Sequence, residues 1–127
     1  MKGDEERVDG LFRAWLASEG WTVAPEPPAS LKWLDIYATR DGSGEEVLAA
    51  ECKGRAGADA GASLDIGYGQ LLRRMDPNAT HIRYAIVVPP ESERAATRVP
   101  PGVRERLDIT VYVVTEDGAV RLATEPA

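Results

Sequence analysis

Residues 47–53 read VLAAECK, an apolar run that ends in two charged side chains around a cysteine. Its first half is apolar at every position, whereas a strand with one solvent face alternates between apolar and polar residues. A run of this kind indicates a central strand that is covered on both faces. The flanking sequence is therefore expected to supply helices for a layer on each side of a sheet.

The rest of the chain predicts these helices and further strands. A first helix carries an apolar stripe at helical spacing and ends near Gly20; the stripe consists of Val8, Leu11, Phe12, Trp15 and Leu16. Ser63 is the predicted N-cap of a second helix over residues 64–75. One or two short helices are expected within residues 91–107. Strands are predicted over residues 21–24, 34–39, 47–53, 82–88, 109–114 and 119–122.

The order α-β-β-β-α-β-α-β-β predicts one α/β domain over residues 1–127, with a mixed sheet between helices. The start, MKGDEERVDG, is too acidic for a signal peptide, and no apolar run approaches the length of a membrane span. We therefore expect a cytoplasmic protein without a membrane partner. A single cysteine, Cys52, and a single histidine, His81, exclude an internal disulfide framework and a structural zinc site.

Two carboxylates and a lysine are expected to meet where the strands 34–39 and 47–53 pair. Side chains alternate along a strand, so Glu51 and Lys53 point to the same face. In a hairpin around the glycine-rich turn between the strands, residues whose numbers sum to about 86 lie opposite one another, and Asp35 faces Glu51. Like charges on a central strand cost stability through repulsion and desolvation. A divalent cation would offset that cost.

These residue types predict a metal-dependent site for cutting phosphodiester bonds. Asp35 and Glu51 are expected to bind Mg2+, with Mn2+ as a substitute, and the backbone carbonyl of Cys52 is a third candidate ligand. The cation would polarise the scissile phosphate and acidify the attacking water. Lys53 would orient that water or stabilise charge in the transition state. The competing interpretation is a structural cluster of salt bridges.

The strand with Asp35, the turn, the triplet Glu51-Cys52-Lys53 and the following helix with Gln70 resemble the PD-(D/E)XK, or restriction-endonuclease-like, nuclease superfamily. The resemblance covers roughly residues 5 to 90. It implies an α-β-β-β-α-β core within a three-layer sandwich, metal-dependent nuclease activity and frequent dimerisation. Leu34 stands where the family name has a proline.

The same resemblance implies further site residues. An acidic metal ligand is expected on the first helix, where Glu6 or Glu5 is the match and Asp9 ranks lower. Gln70 is the match for a catalytic polar residue on the second helix. An exposed helix residue is the alternative interpretation of Gln70, and a helix-dipole role is that of Glu6.

Three arginines are candidates for binding phosphate. Arg55 follows Lys53 by two residues, and Arg73 and Arg74 lie near the end of the second helix. Guanidinium groups suit phosphate because they donate several hydrogen bonds in a fixed plane. A solvated helix face is the alternative interpretation of Arg73 and Arg74.

The first functional hypothesis is a Mg2+-dependent endonuclease that hydrolyses DNA, with RNA and branched DNA as open alternatives. A homodimer or a partner subunit is compatible with the small size. The net charge of −6, from 21 acidic and 15 basic residues, argues against a protein that simply coats nucleic acid. It favours the second hypothesis, a non-catalytic binding or scaffolding subunit of a nucleic-acid-processing complex that keeps the nuclease fold.

Overall fold

The structure is a computed structural model, and it describes residues 2–41, 45–54, 60–79 and 81–123. Helices and strands follow one another in the predicted order. The helices are α1 (Lys2–Ser18), α2 (Ala60–Arg74), α3 (Glu93–Ala96) and α4 (Pro101–Arg106), and the strands are β1 (Thr22–Val23), β2 (Ile36–Asp41), β3 (Glu45–Cys52), β4 (Ile82–Val88), β5 (Ile109–Val114) and β6 (Val120–Leu122).

One six-stranded sheet contains these strands in sequence order, from β1 at one edge to β6 at the other. The pairs β3–β4 and β4–β5 are parallel and the other three are antiparallel, so the sheet is mixed, as predicted. Parallel neighbours need a crossover connection. Here α2 connects β3 to β4, and α3 and α4 connect β4 to β5.

The hairpin of β2 and β3 has the register that the sequence predicts. Ile36 lies opposite Ala50, and the same offset holds to the end of β2. Asp35 lies in a bend just before β2, yet its backbone N–H still donates to the carbonyl of Ala50 at 3.0 Å. Ala50 is already the partner of Ile36, so the regular ladder ends at Ile36, and Asp35 approaches Glu51 through its side chain instead.

Side chains of β3 alternate between two apolar clusters, one on each face of the sheet. The cluster on the α1 face includes Val8, Phe12, Leu16, Leu48, Ala50 and Cys52. The cluster on the α2 face includes Val47, Ala49, Leu64, Tyr68 and Leu71. Burying one leucine or phenylalanine stabilises the fold by about 1.5–3 kcal/mol, so each cluster holds its helix against the sheet. The predicted three-layer, restriction-endonuclease-like sandwich is confirmed.

Two predicted boundaries near the sheet end are wrong. The second helix begins at Ala60, so Ser63 lies inside it and is not its N-cap. Gly61 disfavours a helix there, but Ala60 and Ala62 are good helix formers and Leu64 packs in the core, so the helix begins ahead of Ser63. The strand predicted over 34–39 begins two residues later, because Leu34 turns into the core and the chain bends after it.

Other boundaries agree with the sequence. The strands 82–88 and 109–114 have their predicted bounds, and two short helices occupy part of the segment 91–107. The first helix ends two residues before Gly20, whose φ of 89° is one that glycine adopts readily. Within the described ranges, no helix is both long and apolar enough to cross a bilayer.

Candidate active site

The end of β3 lies directly against the first turns of α1. Gly54 is buried there, and a Cβ added to it would lie 2.7 Å from the backbone nitrogen of Glu5 and 3.0 Å from Oδ2 of Asp4. The buried hydroxyl of Ser92 donates to the carbonyl of Gly54 at 3.2 Å and holds the same segment. Only a residue without a side chain permits this approach. It brings the acidic residues of α1 close to Glu51.

Asp35 is held at the end of β3 by its own backbone and by its side chain. Its Oδ2 accepts a hydrogen bond from the backbone N–H of Cys52 at 2.8 Å. Its N–H donates to Ala50, and its carbonyl accepts a hydrogen bond from Nη2 of Arg13 at 2.7 Å. These contacts come from β3 and α1, so the fold itself sets the position of the carboxylate.

Glu51 is buried beside Asp35, with 5% of its surface exposed. Burial raises the pKa of Glu51 to about 8, helped by the charge of Asp35 and a hydrogen bond between the two carboxyl groups, and opposed by the charge of Lys53. Its Oε1 is buried and has no hydrogen-bond partner among the described residues. Glu51 therefore holds a proton at neutral pH and has one oxygen available to a ligand.

The N-terminal half of α1 contributes acidic groups to a cleft next to Asp35. Glu5, Glu6, Asp9 and Asp35 line this cleft, which has a volume of about 180 Å³. Burial raises the pKa of Glu5, the charge of Asp35 adds to the rise, and the charge of Lys53 opposes it. Glu6 is exposed. Both matches expected from the resemblance, Glu6 and Glu5, thus reach the cleft.

Asp9 lies beside Asp35, although the resemblance favours Glu6 or Glu5 as the acidic residue of the first helix. One carboxylate oxygen of Asp9, one of Asp35 and the Sγ of Cys52 all lie within 4.8 Å of one another. Arg13 Nε lies 2.5 Å from Oδ1 of Asp9, and the same guanidinium binds the carbonyl of Asp35. Asp9 is therefore a third acidic candidate on α1, beside Glu5 and Glu6. The i, i+4 spacing of Asp9 and Arg13 indicates their ion pair, but nothing local in the sequence indicates their link to Asp35.

Lys53 crosses the face of α2 at a glycine. A Cβ added to Gly67 would lie 2.9 Å from Cε of Lys53 and 3.5 Å from its Cγ, so the absent side chain makes room for the lysine. Its backbone N–H donates to the carbonyl of Val87 at 2.9 Å, which extends the parallel ladder one residue past β3. The positive charge of Lys53 opposes the raised pKa of Glu51, so the ammonium acts on that carboxyl.

The remaining polar candidates lie on or near α2. Gln70 follows Gly67 by three residues on the same helix face, and its buried Oε1 has no hydrogen-bond partner in the described part of the chain. Arg73 is exposed, and Arg74 is half-buried. Arg55 lies outside the described residues. The roles of Gln70 and of the three arginines stay predictions.

The side chain of Cys52 points away from Lys53, into the cluster on the α1 face. Burial raises the pKa of the Cys52 thiol well above its ordinary value, and the charge of Asp35 adds to this effect. A protonated thiol is a poor metal ligand. The backbone carbonyl of Cys52 stays a predicted ligand.

Carboxyl groups dominate the surroundings of Asp35. Glu5, Asp9 and Glu51 approach it from two elements, and this crowding of carboxyl groups adds to the burial that raises the pKa values of Glu5 and Glu51. A divalent cation would relieve that crowding. Oxygen donors suit Mg2+ or Mn2+ rather than a thiophilic metal, and the unpartnered oxygen of Glu51 is a donor of this kind. The residues present therefore fit a hard cation.

Two solved structures share this fold over nearly the whole chain. An XisH family protein from Nostoc punctiforme PCC 73102 superposes with a TM-score of 0.66 at 14% sequence identity, covering 93% of this chain and 99% of that chain. An fdxN element excision controlling factor protein from Anabaena variabilis superposes with a TM-score of 0.56 at 15% identity, covering 94% and 99%. No family model and no curated protein sequence matches the chain. At these identities the likeness is one of fold: the chain has the restriction-endonuclease-like architecture of XisH family proteins.

Proposed function

We propose that this protein is a metal-dependent nuclease that hydrolyses phosphodiester bonds, with DNA as its main substrate. The observation that carries the proposal is the close pair of buried Glu51 and half-buried Asp35, with the charge of Lys53 acting on Glu51 from the end of the strand. Two carboxyl groups at close range destabilise a protein when both are ionised. Perturbed pKa values are frequent at functional sites. The acidic cleft of α1 opens beside this pair.

Asp35 and Glu51 would hold the cation, with Asp9 of α1 as the adjacent carboxylate. When bound, Mg2+ supplies the positive charge that polarises the scissile phosphate and acidifies the attacking water. Asp35 keeps its orientation without a ligand because the backbone of Cys52 binds it. Arg13 keeps Asp9 beside Asp35 by binding both residues.

Lys53 and Gln70 would act on the substrate side of the site. The Lys53 ammonium would orient the attacking water or stabilise the negative charge that develops on the phosphoryl oxygens. Its side chain runs past Gly67, which leaves room for it beside α2. The unpartnered carbonyl oxygen of Gln70 would accept a hydrogen bond from the same water or from the substrate.

A non-catalytic role is the second candidate. One structure with this fold is named as a factor that controls excision of an fdxN element, and the net charge of −6 disfavours tight, unassisted binding to nucleic acid. In that case the domain would be a subunit of a nucleic-acid-processing complex. The metal-binding carboxylates would then be present without cleavage.

Cleavage assays with matched variants test the proposal. Supercoiled plasmid and labelled oligonucleotides would be incubated with the protein in Mg2+, Mn2+ or EDTA. We expect cleavage only with a divalent cation. The cleavage rate should fall by about 100-fold or more in Asp35→Asn, Glu51→Gln and Lys53→Met, since each variant removes a charged group that would hold the cation or stabilise the transition state. Glu105→Gln, an exposed change on α4, is the matched control and should cleave like the wild type.

The two candidate functions give different results. Equal cleavage by the wild type and all three site variants would overturn the nuclease mechanism. Calorimetric binding of Mn2+ by the wild type without cleavage of any substrate would favour the non-catalytic subunit.

A further inference from the structure

Trp33 is the exposed aromatic residue nearest in sequence to the site. It is 62% exposed, whereas Trp15 and Trp21 are partly covered by neighbours in the fold. Single exposed apolar residues are ordinary on protein surfaces, so exposure alone implies nothing. The informative features are its flanking charges, its rigid support and its position beside Asp35.

Two cations lie against the ring of Trp33. Nζ of Lys32 is 5.0 Å from the ring centroid, and the guanidinium carbon of Arg74 is 5.6 Å from it. Both distances fall within the range of cation–π contact. Within the described residues, neither cation has a carboxylate at ion-pair distance, whereas Arg13 and Arg40 each bind an acidic side chain. These two positive charges can therefore bind an external anion, although the chain as a whole is acidic.

The segment that carries Trp33 is anchored in the core on both sides. Leu31 and Leu34 are each 3% exposed and belong to the cluster on the α2 face. The N–H of Leu34 donates to the carbonyl of Leu31 at 3.0 Å and closes the turn between them. The ring is therefore presented to solvent by a short, fixed turn, which lowers the entropy lost when a ligand binds.

The Trp33 ring and its cations adjoin the proposed catalytic groups from two directions. Two peptide steps separate Trp33 from Asp35, which limits their Cα atoms to a separation of about 7 Å. Arg74 lies one helical turn after Gln70, on the face of α2 that also contains Gly67 and meets Lys53. A chain of nucleotides that places one phosphate at Lys53 would thus run over Trp33.

We propose that Trp33, with Lys32 and Arg74, is a stacking platform for an unpaired base, so that the substrate of this site contains a single-stranded segment. This rests on the proposed function and specifies its substrate class. An exposed ring binds the face of any base, and the adjacent cations neutralise the flanking phosphates. Bases within an intact duplex have their faces covered by neighbouring pairs, so the platform selects single strands, flaps or frayed ends.

Binding without cleavage tests the platform separately from catalysis. The full chain would be titrated with fluorescein-labelled oligothymidylate, oligouridylate and a blunt duplex in Ca2+, by fluorescence anisotropy. We expect single strands to bind more tightly than the duplex, and Trp33→Ala to weaken single-strand binding by about tenfold, as removal of one stacking ring does. Trp33→Phe should retain most of the affinity. Comparing thymidylate with uridylate shows whether DNA or RNA is preferred.

Controls separate stacking from charge and from misfolding. Leu122→Ala changes a residue of equal exposure on β6, at the other edge of the sheet from β1, and should bind like the wild type. Lys32→Ala and Arg74→Ala should weaken binding and reduce its salt dependence. Stacking on Trp33 should also quench tryptophan emission, and that quenching should be largely lost in Trp33→Phe.

The outcomes distinguish this proposal from the proposed function. Wild-type affinity in Trp33→Ala, or equal affinity for single strands and duplex, would overturn the platform even if the protein cleaves DNA. Absence of binding to every nucleic acid would overturn it in favour of a protein-binding surface. Tight single-strand binding that requires Trp33 supports the platform even if no cleavage occurs in Mg2+.

Discussion

Oδ2 of Asp35 accepts a hydrogen bond from the backbone N–H of Cys52 at 2.8 Å, and this contact couples the candidate site to the pairing of β2 and β3. A slip of one residue in that hairpin would turn Asp35 to the opposite face. The bond therefore joins the register of the sheet to the orientation of the acidic side chain. Any replacement of Asp35 can therefore change both the pairing of β2 with β3 and the acidic group at the site.

Replacing Asp35 by asparagine or by alanine should separate these two effects. Asparagine keeps an oxygen that can accept the hydrogen bond of Cys52, so we expect Asp35→Asn to keep near wild-type stability. Alanine leaves that N–H without its acceptor and should lower the free energy of unfolding by about 1–3 kcal/mol. Urea unfolding in EDTA measures both. Equal stability of the two variants would show that the bond to Cys52 contributes little.

Glu51 should make the stability of the metal-free protein depend on pH. Its pKa is about 8 in the folded protein and about 4.3 in an unfolded chain, so the folded state holds an extra proton between these values. The free energy of unfolding should therefore fall as pH rises from about 4.5 to 8 and level off above that. Urea unfolding at a series of pH values in EDTA measures the profile.

The variant Glu51→Gln isolates this contribution. Glutamine cannot ionise, so the free energy of unfolding of Glu51→Gln should increase relative to that of the wild type as pH rises from about 4.5 to 8. The exposed control Glu105→Gln should follow the wild type. Parallel profiles for the wild type and Glu51→Gln would mean that Glu51 does not hold the proton.

Cation binding should release that proton. Mg2+ requires the ionised carboxylate of Glu51, so its affinity should rise with pH, up to about tenfold per unit, until pH passes about 8. Calorimetric titration with Mn2+ in two buffers of different ionisation enthalpy would count the protons released near neutral pH. A heat of binding that is independent of buffer would contradict the assignment of Glu51 as a ligand.

The register of the hairpin that leads to Asp35 and Glu51 could be predicted from the sequence because it depends on local rules. Alternation along a strand and the length of one turn determine which residues of a hairpin lie opposite each other. The observed pairing of Ile36 with Ala50 has the predicted offset. The same rules place Lys53 on the face of Glu51 and Cys52 on the other.

The contribution of α1 could not be predicted in the same way. Asp9 and Arg13 reach Asp35 because α1 lies across the sheet at a particular position, and that position depends on close packing against Gly54. A glycine in a polar loop indicates flexibility as readily as a tight contact. The predicted start of α2 is wrong for a related reason, since Gly61 indicates a loop, whereas the alanines on each side favour a helix and Leu64 packs in the core.

Gly54→Ala tests that contact. The new Cβ would lie 2.7 Å from the backbone nitrogen of Glu5, and neither backbone can move aside freely. We expect a loss of about 1–3 kcal/mol in stability, as for overpacking in a core, together with weaker Mn2+ binding because α1 shifts from the site. Gly10→Ala, in the same helix with open space around it, is the control and should be neutral or stabilising. An unchanged Gly54→Ala protein would contradict the close docking of α1.

Gly67→Ala should change catalysis more than stability. The added Cβ would lie 2.9 Å from Cε of Lys53, and this flexible side chain can move away at low cost, while alanine favours the helix by up to about 1 kcal/mol. Stability should therefore change little, but the displaced ammonium should slow cleavage by about tenfold or more. Gly69→Ala, which meets no atom within 4 Å, should keep wild-type cleavage and gain stability. Cleavage rates and urea midpoints of the two variants measure these effects. Equal cleavage rates for Gly67→Ala and Gly69→Ala would show that the position of Lys53 over α2 does not affect the reaction.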